Sequence, residues 1–60
     1  MTAYILKHYA RDEWLDKDGI PTSDITKAER FVRQGGATRW LMHKAPDFLN
    51  SYRTVTVRVE

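Results

Sequence analysis

Four groups of residues in this 60-residue chain have the types that chemistry needs, and spacing decides what each could do. Asp16-Lys17-Asp18-Gly19 resembles the opening of a calcium loop. An EF-hand needs glycine at loop position 6 and a bidentate glutamate at position 12. Counting from Asp16 puts glycine at position 4 and Lys27 at position 12, so a plain turn is the better account. His8 and His43 could ligate a metal or act as general bases near neutral pH. They fall on different elements, without paired-histidine spacing, regular acidic partners or any cysteine, so ordinary histidines are expected and no metal or cofactor. Ser23 and Ser51 lack the glycine-flanked elbow of a nucleophile. Gly35-Gly36 lacks the preceding strand and following Lys-Ser or Lys-Thr of a phosphate loop. No catalytic residue is assigned, and the chain does not read as an enzyme.

Charge offers a different chemistry. The formal net charge is +2, but residues 1–26 hold three basic and five acidic residues, whereas residues 27–60 hold seven basic and three acidic. Lys27, Arg30, Arg33, Arg39 and Lys44 run through the basic half and could take phosphates, with exposed rings stacking on unpaired bases. Against this stand the acidic N-terminal half and the lack of a glycine-aromatic string or long basic helix.

These side chains are positioned by few elements. Tyr52-Arg53-Thr54-Val55-Thr56-Val57-Arg58-Val59-Glu60 alternates valine with polar residues, the pattern of a strand with one dry face. That reading gives Val55, Val57 and Val59 to the core, and Thr54, Thr56 and Arg58 to an open face. Ala3 to Ala10 is rich in β-branched and aromatic residues and reads as a strand, with Tyr4, Leu6 and His8 inward, Ile5 and Tyr9 outward. A brief strand around Glu13 to Asp16 hairpins onto it before the Asp-Gly-Pro turn, where Pro21 is expected to block pairing. Thr26 and Glu29 have capping-box spacing for a helical turn, which Gly35-Gly36 must interrupt. Ala37, Trp40, Leu41, Lys44 and Ala45 then recur at helical spacing until Pro46, with Phe48 or Leu49 tucked under the helix end.

The expectation is therefore one α+β domain over residues 1–60: a three-stranded antiparallel sheet with one amphipathic helix on one face, in the order β-β-α-β. Its core would hold Leu6, Trp14, Ile25, Phe31, Trp40 and Leu41 with the three valines. So short a chain buries only about 60% of its unfolded surface, leaving a thin core. The lack of cysteine suits a reducing cytoplasm, no apolar run approaches a membrane span, and Met1-Thr2-Ala3-Tyr4 lacks a signal peptide's basic start.

Tyr4-Ile5-Leu6-Lys7, Trp14-Leu15-Asp16, Gly19, Thr22, Asp24-Ile25, Lys27-Ala28, Phe31, Ala37, Trp40 and Val57-Arg58-Val59 together resemble a pattern seen in small uncharacterised phage and prophage proteins. The resemblance spans most of the chain and rests mainly on structural residues. It implies a phage accessory protein in a bacterial cytoplasm and brings no catalytic motif.

Exclusion and the strand pattern favour protein interaction. The expected role is modulation of a host or phage protein, with homodimerisation and no cofactor. The candidate surface is Tyr9, Trp14, Tyr52, Thr54, Thr56 and Arg58: interface-type aromatics beside a terminal strand able to pair with another chain. The alternative is a nucleic-acid-binding module using Lys27 to Lys44 and the open sheet face.

Overall fold

A computed structural model describes residues 1–59. Strands β1 (Thr2–His8), β2 (Trp14–Leu15) and β3 (Pro21–Thr22) are followed by a 3-10 turn at Ile25–Lys27 and by helix α1 (Gln34–Lys44). A second 3-10 turn at Pro46–Phe48 leads into β4 (Tyr52–Arg58). The α+β class holds, but the antiparallel sheet has four strands rather than three, in the order β3-β2-β1-β4. The added strand contains Pro21, opposite Leu15. Proline lacks only a donor, so it is tolerated in an outermost strand whose other side needs none.

The turn joining β2 to β3 is built by Asp16. Its carboxylate accepts from the backbone N–H of Asp18 at 2.9 Å and of Ile20 at 3.0 Å. Gly19 takes the left-handed conformation at φ 75°, which an L side chain would strain. Farther on, the expected Thr26–Glu29 capping box does not form. Asp24 caps instead, accepting from Thr26 N–H at 3.0 Å and Thr26 Oγ1 at 2.6 Å. Those bonds, the Thr26 hydroxyl first, hold the Asp24 carboxyl below the usual range.

Helix α1 begins three residues before Ala37 and takes Gly35 and Gly36 into its first turn. Arg33 is its N-cap residue and makes no side-chain cap bond, so this end forms without local help. Ala37, Leu41 and Ala45 face the sheet and join Leu6, Leu15 and Tyr52 in the core, with Phe31, Trp40 and Phe48 packed around them. Phe31 and Trp40 meet at 5.3 Å, and Phe48 meets the edge of Tyr52 at 5.4 Å. Leu49 stays exposed.

The central correction concerns β4. In an antiparallel ladder, directly opposed residues share a face. Leu6 opposes Thr54 and His8 opposes Tyr52, so Tyr52 and Thr54 look toward α1; Ile5 opposes Val55 and Ala3 opposes Val57, so the valines look away from it. The bond from Gln34 Nε2 on α1 to Thr54 Oγ1, 2.9 Å, shows the same orientation. Thr54, Thr56 and Arg58 are therefore not an open face set against a valine core. Alternation divides a strand into two sets, and which set meets the helix depends on its partner strand. Here Leu6 and Tyr52 decide it.

Nor is the valine face bare. Ile5 is 2% exposed, and the Ile25–Lys27 turn stands beside it over Val57 and Val59. Ile25 itself is 48% exposed rather than a core residue, and Trp14, opposite Lys7, is half-buried on this second face.

Candidate functional site

β1 is paired along both sides. On one side, Tyr4 exchanges two 2.8 Å backbone bonds with Phe31, and His8 N–H donates to Glu13 at 2.8 Å. These are even-numbered residues. On the other side the odd-numbered residues bond to β4, a ladder bracketed by Tyr9 N–H to Ser51 at 2.9 Å and Val59 N–H to Met1 at 2.8 Å. The same parity applies to β4. Arg53, Val55 and Val57 direct their backbone groups at β1, and Thr54, Thr56 and Arg58 direct theirs outward.

β4 is the last strand of the sheet, and those outward N–H and C=O groups have no partner among the described residues. The row from Thr54 to Arg58 is about 13 Å long at ~3.3 Å per residue. It contains no glycine, proline or bulge to discourage pairing.

The second face adds a groove of about 150 Å³ beside this edge. Ile5, Ile25, Val57 and Val59 make it apolar, and Arg30 and Arg58 line it. Arg53 shares the groove's sheet face, since it opposes Lys7. Among the described residues the ion pairs are Lys7 with Asp12 and Arg11 with Glu13, each at 3.8 Å in the β1–β2 hairpin. Neither involves Arg30, Arg53 or Arg58.

The expected interaction residues are not gathered into one surface. Thr56 and Arg58 are exposed on the free edge, and Thr54 is half-buried through its bond to Gln34. Tyr9 is 62% exposed and stacks on His8 at 4.8 Å. Trp14 is half-buried in the other half of the sheet. Tyr52 is a correction: at 5% exposure it belongs to the core and offers a partner nothing. Burial, the largest influence on it, pushes its phenol above the ordinary range.

The basic residues are also divided. Arg39 lines a shallow concavity on the outside of α1 with Gln34, Thr38, Met42 and His43, whereas Arg30 belongs to the groove on the second face. Lys27 is exposed on the first 3-10 turn, Arg33 caps α1, and Lys44 ends it beside Gly19. The His8 ring nitrogen Nδ1 accepts from the N–H groups of Ala10 and Arg11, at 3.0 and 3.1 Å. Among the described residues no three His, Asp or Glu side chains converge as a metal site. No described helix is long and apolar enough to cross a membrane.

Sequence reasoning missed Ile5, Ile25, Val57, Val59 and Arg30 as a group. The signal is present in Ile5 and the valines, all apolar positions of strands, but only the β1–β4 register puts them on one face.

Compared with models of known protein families, with curated proteins and with solved structures, the chain matches none.

Proposed function

We propose that this chain is a protein-binding module whose docking element is the outer edge of β4, through which it modulates the protein it binds. One observation carries the reading: the outward backbone groups of Thr54, Thr56 and Arg58 have no partner among the described residues. An extended segment laid along them would gain main-chain hydrogen bonds, with side-chain contacts on either sheet face supplying selectivity. The basic residues favour nucleic acid less, because Arg30 and Arg39 line separate concavities instead of one stripe.

Proline substitution tests the edge. Thr56→Pro removes an outward N–H that the ladder does not use, so the fold should persist while docking is lost. Thr56→Val keeps the N–H and should keep docking. The comparison is made by retaining a binding protein on immobilised wild-type chain and repeating with each variant, with circular dichroism as the folding control. Equal retention by a folded Thr56→Pro chain would refute the edge as the docking element.

A further inference from the structure

We infer that the segment docking on β4 is acidic and carries one apolar side chain that enters the groove on the second face; this rests on the edge reading above. The argument begins with side-chain alternation. A strand added to β4 lies about 4.8 Å away and sends every second side chain to the valine face. Val57 and Arg58 end the edge strand, Val59 follows it, and all three line the groove, so a side chain from the added strand leans over the apolar lining. A volume of about 150 Å³ is that at which an apolar cavity admits a benzene-sized group. One leucine or phenylalanine side chain matches it.

Charge identifies the flanking residues. Arg30 lines the groove and Arg53 stands farther along the same sheet face, whereas the Arg58 side chain alternates to the face of Thr54 and Thr56; neither Arg30 nor Arg53 has an ion-pair partner among the described residues. Carboxylates two positions before and after the apolar residue would fall on this same face as Arg30 and Arg53, whose guanidinium groups bind carboxylates through paired N–H donors. A second copy of this chain fits less well. Pairing β4 with itself would bring Arg53 from both copies to the groove's face, where residues 53, 55, 57 and 59 offer no acid.

The test is a titration of isotope-labelled protein, followed by NMR, with three capped heptapeptides: Ser-Glu-Ser-Leu-Ser-Glu-Ser, its lysine analogue, and an analogue with serine for leucine. The acidic leucine peptide should bind at least tenfold more tightly than either analogue. It should shift the Ile5, Val57 and Val59 methyls and protect the Thr56 and Arg58 amides from exchange. Arg30→Glu should reverse the preference between acidic and lysine peptides. Equal binding of the lysine peptide, shifts confined to methyls elsewhere, or no binding by any of the three at millimolar concentration would overturn the inference. Concentration-dependent protection of the same amides without peptide would also overturn it, by making a second copy the occupant. The two readings fail separately. Protection of the edge by all three peptides alike would keep the docking edge and remove its acidic preference. Groove shifts without edge protection, and unaltered in Thr56→Pro, would keep the acidic groove and remove the edge.

Discussion

Tyr52 shows how a single residue's role changes once its neighbours are known. By type it is an interface anchor; by position it opposes His8 under α1, where the rings of His8 and Phe48 meet it at 5.1 and 5.4 Å. Its raised phenol pKa has a defined consequence. A group whose pKa is raised on folding contributes stability that is full below its unfolded value, about 10, and is lost as pH rises through the folded value. Tyr52→Phe should therefore change stability at pH 7 by less than about 1 kcal/mol, since no hydrogen bond to another described side chain is lost, and should lessen the loss above pH ~10. Urea unfolding of both chains at pH 7 and pH 11 checks this, and an alkaline loss as steep in the phenylalanine variant would refute it. Residues with local chemistry were readable from sequence alone. Asp16 and Gly19 make their turn with neighbours two to four positions away, so spacing exposed them. Burial of Tyr52 depends on residues more than forty positions distant in the case of His8, which no local pattern records.

At the scale of elements, α1 and β4 differ in what the sequence could reveal. The 3.6-residue recurrence of Ala37, Leu41 and Ala45 identified both the helix and its buried face, because a helix has one apolar stripe. The helix starts before the glycine pair rather than after it, because a first turn tolerates Gly35 and Gly36 at modest cost. A Cβ added at either glycine meets nothing within 4 Å, and neither has positive φ. Gly35→Ala and Gly36→Ala should each stabilise the protein by about 0.5–1 kcal/mol. Thermal denaturation reads this directly, and destabilisation by either would mean that the start of α1 is not helical. In β4 the alternation was legible and its orientation was not, since Val55 and Val57 find apolar partners in Ile5 and Ala3 as readily as Tyr52 and Thr54 find α1.

For the whole molecule, the α+β layering followed from there being one amphipathic helix and few strands to cover. The fourth strand and the groove did not follow, because β3 is two residues long and the Ile25–Lys27 turn is brought over Ile5 only by tertiary folding. The core is small, and its fully buried large side chains are Leu6 and Leu15. Leu15→Ala should cost about 2–5 kcal/mol, much of the stability available to a domain of this size. Chemical denaturation should accordingly show a largely unfolded variant, whereas a loss below about 1 kcal/mol would mean that α1 and the sheet do not share one core. Economy of core also bears on function: α1 shields one face and the first 3-10 turn part of the other, but nothing described covers the end of the sheet at β4. Residue-resolved amide hydrogen exchange along β4, first in the free protein and then with the acidic leucine heptapeptide, tests this most directly. The free protein should show alternation, with Val55 and Val57 protected while Thr54, Thr56 and Arg58 exchange freely, and the peptide should protect Thr56 and Arg58. Uniform protection of β4 in the free protein, or alternation that persists in the complex, would contradict a free edge that docks another chain.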